Sequence, residues 1–528
     1  MSSLTGTWAL ARFAVRRDRV RIAVWILSIV VLVVITAASV KGLYPTQHDL
    51  DVAAAASIDN PAALAFNGPA YGLDTVGGQV AFQVGAFGLT VVALMSLLMV
   101  GRLTRSEEES GRLELVNSMA VGRHAALAAA LVVVSAMNVV VGVLVGASLV
   151  AMDLPVGGSI LFGLSFTMIG LMFIGVETVT TQVTESSRTA SGLAGAVLGV
   201  SYAVRAIGDV GNGALSWLSP IGLVQKARPY AGDVWWPLGI ALVLTVGLAL
   251  LGAYLRSHRD FGSGLVQPRP GRATASPLLG RPLGLAVRLQ RATVWWWAFA
   301  VLLTGVAYGS IANSIEDFIG DNQAVADMVA AAGGGASLVD SYLATSLLIL
   351  AVIAGGAAVQ MALRLHSEET AGRVEPLLAT PVSRTGWMSS HLAVALGGSA
   401  LIMMAGGFGT GATYAFVTGD AGQIPRLIGA ALVHVPAIWV VVGIACALFG
   451  AAPRWAVLAW VGVAVGLVVA MFGALLDLPG LVMDLSPFQH TPQVPAQDLT
   501  ALPLIVLLAV GASLVAVGLA GFRRRDIG

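Results

Sequence analysis

The sequence predicts an all-α integral membrane protein of twelve transmembrane helices, built as two parallel six-helix repeats. Three observations predict it. Hydrophobic residues make up 57% of the 528 and charged residues only 11%, whereas a soluble globular chain carries about 25% charged residues. Apolar runs long enough to cross about 30 Å of hydrocarbon recur along the whole chain. Segments of the first half also reappear, in the same order, in the second.

The apolar runs lie at 22–41, 80–101, 125–151, 158–182, 189–207 and 237–255, then at 294–313, 342–363, 390–417, 426–450, 456–476 and 502–522. Arg12 to Arg21 before the first run, and Ala37, Ala38 and Ser39 near its end, imitate a signal peptide. The run is longer than a usual signal core and has a counterpart in mid-chain, where cleavage would make no sense, so it reads as a retained helix. With both termini cytoplasmic, all of the 29 Lys and Arg residues except Lys41, Arg205, Lys226, Arg228 and Arg426 fall inside, as the positive-inside rule requires. Trp235-Trp236 and Trp295-Trp296-Trp297 stand at span edges, as an aromatic belt would. The expected location is the cell membrane, multi-pass.

The repeat is sharpest between Arg105–Arg123 and His366–Arg384. Ser106, Glu107, Glu108, Gly111, Arg112, Glu114, Val121 and Arg123 find identical mates 261 residues later, eight of nineteen positions. Ala14-Val15-Arg16, Arg19 and Trp25 recur as Ala286-Val287-Arg288, Arg291 and Trp297, and Leu218-Ser219-Pro220 recurs as Leu485-Ser486-Pro487. Six spans per copy is an even number, so both copies enter the membrane in the same direction, and parallel halves related by an axis along the membrane normal follow. The halves are 1–255 and 293–528. Between them, 256–292 is rich in Arg, Pro and Gly and reads as a basic cytoplasmic linker; its arginines serve as a positive-inside anchor or as a surface for anionic headgroups.

Several function classes are excluded. The net charge of +1 excludes a strongly basic nucleic-acid binder, and a single cysteine, Cys446, excludes a disulfide framework and CxxC chemistry. No loop is long enough to fold as a soluble enzyme. No GxxxxGK[ST] phosphate loop occurs, so any ATP-driven work needs another polypeptide. No Ser-His-Asp, Cys-His or paired-carboxylate arrangement is readable, and His391 and His434 lack the spacing of a metal site. The chain is therefore expected to be no enzyme and to hold no cofactor or metal.

The repeated segments join spans two and three (102–124) and spans eight and nine (364–389), and both read as short helices at the inner surface. Glu107-Glu108-Glu109 and Glu368-Glu369 suit the positive end of a helix dipole. Ser106 with Glu109 fits a capping box in the first copy only. Glu108 with Arg112, and Glu369 with Arg373, fit i,i+4 ion pairs. One copy alone reads as a solvated connector; recurrence in both halves points to a docking element presented twice to a two-fold partner.

The run Ser367-Glu-Glu-Thr-Ala-Gly-Arg-Val-Glu-Pro-Leu-Leu-Ala-Thr-Pro-Val-Ser-Arg384 resembles the loop between the second and third helices of ABC-2-type (type V) exporter permeases. Asn60-Pro61-Ala62 and Gly68-Pro69-Ala70-Tyr71-Gly72-Leu73-Asp74-Thr75 resemble the actinobacterial permeases regarded as polyketide-antibiotic exporters, which fuse two six-helix halves in one chain. The first copy departs from the loop pattern, reading Met119-Ala120-Val121-Gly122-Arg123. The resemblance implies amphipathic elbow helices at about 8–20 and 282–292. It also implies coupling loops seated on two copies of a separate ATP-binding cassette subunit, which holds the ATP and Mg. On this reading the coupling residues are Glu107, Glu108, Gly111, Arg112, Glu114 and Arg123, with Glu368, Glu369, Gly372, Arg373, Glu375, Pro381 and Arg384. The chain is then the permease of a multidrug or antibiotic exporter moving hydrophobic or amphiphilic compounds outward.

Three further features carry two readings each. Gly195 with Gly199, and their mates Gly462 with Gly466, form GxxxG pairs, either at a seam between the halves or in ordinary packing within one half, and Gly142 with Gly146 fits the same pattern. Glu177 is an acid within span four, either on a substrate path or a hydrogen-bonded glutamate near the interface; its mate, about Gly443, offers no symmetry. The external segments 42–79, 208–236, 314–341 and 477–501 are an outer lid or plain connectors. The alternative function is a proton-coupled secondary transporter of the major facilitator type, but that fold usually places an Asp between spans two and three, where this loop has none.

Overall fold

A long apolar segment in hydrocarbon must satisfy every backbone group internally, which leaves the helix as the available form for runs such as these. In a computed structural model, which describes residues 3–58, 61–112, 121–258, 263–266, 274–312, 338–472 and 480–526, helices accordingly fill the apolar runs and no strand occurs among the described residues. Twelve of them are long and apolar enough to cross a membrane. Spans one to six are Thr7–Leu43, Val76–Leu103, Ala125–Ala151, Val156–Val183, Ser187–Val210 and Trp236–Ser257. Spans seven to nine are Pro282–Ile311, Leu338–Ala362 and Arg384–Thr418. Span ten is made of Gln423–Leu432 and Val435–Ala451, interrupted just ahead of Pro436, which has no N–H to donate to the preceding turn and whose ring clashes with it. Span eleven is Ala459–Phe472, entered through a 3-10 turn at Pro453–Leu458, and span twelve is Ala501–Arg524.

The chain divides into two compact units, Met1–Gly271 and Arg272–Gly528. In the first, spans two and four are the most enclosed and spans one and six the least; in the second, spans eight and ten are the most enclosed and span twelve the least. Each unit thus surrounds two central helices with others whose outer faces are left for lipid.

Helix contact inside each unit relies on missing side chains. A Cβ on Gly163 of span four would stand 2.3 Å from the Gly142 carbonyl oxygen of span three. A Cβ on Gly450 of span ten would stand 2.0 Å from the Gly518 carbonyl oxygen of span twelve. Such small residues let backbones approach where no hydrophobic force drives membrane helices together. Asn138 of span three and Ser96 of span two add a buried hydrogen bond (3.0 Å) between helices.

Of the segments expected as elbow helices, 8–20 is set off from the rest of its span by a kink, while 282–292 is not a separate helix. Residues 8–20 belong to span one, bent where Asp18 leaves helical geometry (φ −101°, ψ 16°), and 282–292 are the first turns of span seven. In span seven no Gly or Pro stands between 282–292 and the apolar run that follows, so nothing interrupts the hydrogen-bond ladder there. Of the predicted outer segments, 314–337 and 477–479 lie outside the described residues.

Candidate functional site

The loop 102–124 begins with one short helix, Arg105–Glu109. Gly111 ends it in the left-handed region (φ +70°), and its N–H donates to the Glu108 carbonyl at 3.1 Å. That stop turns Arg112 off the helix face. The expected Glu108–Arg112 pair is accordingly absent: Arg112, two-thirds exposed, approaches Glu107 instead, at 3.9 Å. Glu108 turns inward, its side chain 4% exposed, where it pairs with Arg105 and lies 3.8 Å from Arg256 at the end of span six.

The expected capping box is also replaced. Thr104 stands at the N-cap without capping the helix, its hydroxyl donating back to the Val100 carbonyl at 2.6 Å, and Glu109 reaches away to span five. Its carboxylate accepts from the Ser187 N–H at 3.0 Å and the Ser187 hydroxyl at 2.6 Å. An acid at the positive end of a helix is favourable wherever it comes from, and here it comes from the neighbouring element. Glu107 pairs with Arg17 of span one at 2.9 Å. Arg17 also bonds Asp18, the buried residue at the bend, which in turn holds Arg102 at 2.9 Å. Arg105 is buried and donates to the Glu185 carbonyl at 2.8 Å. The first loop is therefore tied to spans one, five and six. Glu114 lies outside the described residues.

The loop 364–389 forms two short helices, Arg364–Thr370 and Val374–Leu378. Between them Gly372 (φ +66°) makes a Schellman stop: its N–H donates to the Glu369 carbonyl (2.9 Å), and the Arg373 N–H donates to the Glu368 carbonyl (3.1 Å). That motif satisfies carbonyls the helix end would otherwise orphan. It also shifts Arg373 away from Glu369, so the expected i,i+4 pair is absent here too. Arg373 bonds Glu368 at 2.7 and 3.2 Å, joined by Arg364 at 2.5 Å. Glu369 pairs with Arg525 at the end of span twelve, at 2.6 Å.

Each loop closes with an arginine that faces its sixth helix. Arg123 donates to the Ser257 carbonyl (3.4 Å), and Arg384 to the carbonyls of Arg525 (2.7 Å) and Arg523 (3.4 Å). The departure of the first copy from the Val-Ser-Arg pattern has a steric cause. The N-terminal segment passes so close that a Cβ on Gly122 would meet the Ser3 carbonyl oxygen at 2.3 Å, and Gly122 donates to the Thr5 carbonyl at 2.9 Å. In the second copy Ser383 is free to cap span nine, accepting from the Gly386 N–H at 3.0 Å.

Of the residues expected to face a partner, the acids thus turn largely toward their own chain. Among the described residues, the polar side chains left exposed include Glu109, Ser110, Arg112 and Arg123 in the first loop and Thr370, Arg373, Glu375 and Thr380 in the second, beside Pro376 and Pro381. Asp18, Arg17, Arg105, Arg256, Arg364 and Arg525 were not among the expected loop residues. Their signal was available: each is an arginine or acid at or near a span end, within reach of the acids of a loop.

The remaining expected residues fall elsewhere. Glu177 is fully buried in span four, accepting from Ser191 Oγ (2.9 Å) and Thr180 Oγ1 (3.1 Å). Gly101 of span two leaves room for it, since a Cβ there would stand 2.5 Å from its Oε1. The hydroxyls can rotate to serve an amide as well as a carboxylate, so Glu177→Gln should cost at most about 1 kcal/mol. Thermal unfolding in detergent and efflux at several pH values check this; a loss confined to cationic compounds would argue for a counter-ion role. Among the described residues nothing lies within 4 Å of a Cβ built on Gly195, Gly199 or Gly462, while Gly466 faces Phe488 at 2.9 Å.

The five basic residues outside the positive-inside pattern are all engaged. Arg205, fully buried in span five, pairs with Asp209 (3.3 Å) and donates to the Ala65 carbonyl (2.5 Å) and the Leu64 carbonyl (3.4 Å). Tyr202 donates to the Phe66 carbonyl at 2.6 Å. Lys226 bonds the Tyr71 hydroxyl at 3.2 Å, and the Arg228 guanidinium lies 4.5 Å from the Tyr71 ring centre. Lys41 donates to the Met152 carbonyl, and Arg426 pairs with Asp340 at 2.8 Å. In the first half these contacts pin the 61–74 segment over the ends of the spans. Where the early turns of span one pass span three, an apolar groove of about 520 Å³ is lined by Trp8, Val15, Ile22, Met137 and Val140, with Arg12 and Arg16 along it.

Residues 279–523 match the family model described as the C-terminal domain of the multidrug efflux system permease Rv1217c. The whole chain is similar to the multidrug efflux system permease protein Rv1217c of Mycobacterium tuberculosis (strain ATCC 25618 / H37Rv), at 42% identity over 100% of this chain and 96% of that protein. The match is consistent with the ABC-2-type likeness carried by the loop motif. By full-length similarity and repeated loop pattern together, the chain belongs to the Rv1217c family of multidrug efflux system permeases.

Proposed function

We propose that this chain is the membrane-spanning permease of an ATP-driven exporter, moving hydrophobic or amphiphilic compounds outward. The observation that carries the reading is the pair of loops, each presenting a short exposed polar strip on a base braced by ion pairs. In this reading the strips meet two copies of a separate ATP-binding cassette subunit, which supplies the ATP and Mg site, and this chain has no nucleotide site of its own. Both termini are cytoplasmic, which puts the arginine-rich ends and both loops on the side where ATP is available. Lipid covers the outer faces and the groove beside Arg12 and Arg16, whose long side chains reach the headgroup level. The relative's designation as a multidrug efflux permease supports export of more than one compound.

The test follows from the exposure. A swap of Glu369 with Arg373 would break the internal bridge from Glu369 to Arg525, so it does not isolate docking. Arg112→Glu in the first loop and Glu375→Arg in the second change only exposed side chains. Charges reversed against a partner surface can cost several kcal/mol. The double variant should reach the membrane normally, lose co-purification of the ATPase and lose dye efflux. Unchanged association and unchanged efflux would remove the docking reading.

A further inference from the structure

The two loops differ in their other attachments, yet both make the same pair of contacts with the sixth helix of their own half. The second glutamate of the repeated motif meets an arginine at that helix's C-terminal end: Glu108 with Arg256 (3.8 Å) and Glu369 with Arg525 (2.6 Å). The closing arginine of the motif bonds carbonyls at the same end: Arg123 to Ser257 (3.4 Å) and Arg384 to Arg525 (2.7 Å). The acid thus takes the cation of the helix end, while the arginine takes the carbonyls that a helix C-terminus leaves without partners. The arginine also meets the negative pole of the helix dipole. In the first half the link is returned, since Arg256 Nη2 lies 3.5 Å from the Arg123 carbonyl. In the second, the Arg525 guanidinium is further seated 4.9 Å from the Phe449 ring centre and 5.2 Å from that of Phe522.

Glu108 with Glu369 and Arg123 with Arg384 are two of the eight identical positions between the copies, so the shared contacts are made by shared residues of the motif. The attachment of Glu109 to Ser187 has no counterpart, because Thr370 stands where Glu109 would be, and the paired Glu107 and Glu368 take different partners, Arg17 and Arg364.

We propose that these residues are a two-point clamp that makes each loop and its sixth helix one mechanical body, so that motion imposed on a loop is delivered to spans six and twelve. Glu108, Arg256, Glu369 and Arg525, with Arg123 and Arg384, are positioning residues that act on transport through the helix they hold. The inference rests on the reading that the loops receive motion from an ATPase, and its test is separable from the test of that reading.

Efflux of ethidium is measured in a deletion strain complemented with the full-length permease, alongside co-purification of the ATPase with the tagged permease. Glu369→Gln and Arg525→Gln should keep ATPase association, because both side chains face inward, and should lower efflux by about 5- to 150-fold, the range of measured couplings between sites. The reversed pair, Glu369→Arg with Arg525→Glu, should recover much of that loss. A second arm does not depend on the ion pair. With Cys446→Ser as background, Glu369→Cys with Arg525→Cys should export poorly until a short bis-thiol reagent joins the two positions, and then regain efflux. Normal efflux in the single variants, or efflux stopped by the cross-link, overturns the clamp. Failure of Arg112→Glu with Glu375→Arg to disturb association counts against docking alone.

Discussion

Gly518→Leu is expected to leave almost no folded protein in the membrane. Span twelve lies against span ten with backbone almost touching backbone: a Cβ on Gly518 would stand 2.4 Å from the Cys446 carbonyl oxygen, and one on Gly450 would stand 2.0 Å from the Gly518 carbonyl oxygen. Overpacking a core usually costs about 1–3 kcal/mol because side chains shift to new rotamers. A carbonyl oxygen inside a helix has no such freedom, so the helices must separate along this contact, and the cost exceeds that range. Separation also breaks the seat of Arg525 between Phe449 and Phe522. A fluorescent-protein fusion run on size-exclusion chromatography gives the readout, with Gly195→Leu and Gly199→Leu as controls, since their faces meet nothing within 4 Å. The controls should elute as monodisperse peaks near the parental level. A monodisperse Gly518→Leu at that level would show that the close approach is not needed.

The same glycines show where the sequence was legible. Twelve spans and their order followed from hydropathy, because a bilayer admits few other forms, and a membrane-long helix lies in each expected run among the described residues. GxxxG spacing was visible at Gly142, Gly195 and Gly462, but spacing says only that two glycines share a face. Which face meets another helix depends on rotation about the helix axis, and that is settled by every other contact of the bundle. Gly142 faces Gly163, while Gly195 and Gly462 face open space. The Gly443–Gly450 and Gly511–Gly518 stripes of spans ten and twelve, spaced seven apart, were not singled out.

The loops were half legible for a related reason. Their repeat, polarity and helical start were readable in the amino acids. The pairing was not, because Gly111 and Gly372 take a positive φ that ends each helix before its arginine. An i,i+4 rule applied across a helix stop gives the wrong partner. Read as a C-terminal stop, the shared glycine would have separated Glu108 from Arg112 and Glu369 from Arg373, leaving both glutamates to find arginines elsewhere.

Arg205→Met should destabilise the first half by about 3–5 kcal/mol, the usual cost of removing one partner from a buried ion pair. Both side chains of the pair are enclosed, Arg205 at 0% and Asp209 at 1% exposure. Without the guanidinium, Asp209 keeps the Ser216 hydroxyl at 2.6 Å, the Ala65 carbonyl loses the Arg205 donor, and the Leu64 carbonyl is left with the Gly68 N–H alone. The 61–74 segment then depends on Tyr202, Gln225 and the contacts to Tyr71. Two measurements check this: the thermal unfolding midpoint in detergent should fall, and limited proteolysis should cut within 61–74 where the parent resists. Arg205→Met combined with Asp209→Leu removes the stranded carboxylate, so it should regain part of the lost stability. It should not regain the protection of 61–74, because the carbonyls stay without the Arg205 donor. A charge that seemed misplaced by the positive-inside rule is thereby accounted for as the centre of a hydrogen-bonded cap. An Arg205→Met chain as stable and as protease-resistant as its parent would leave that charge without a structural reason.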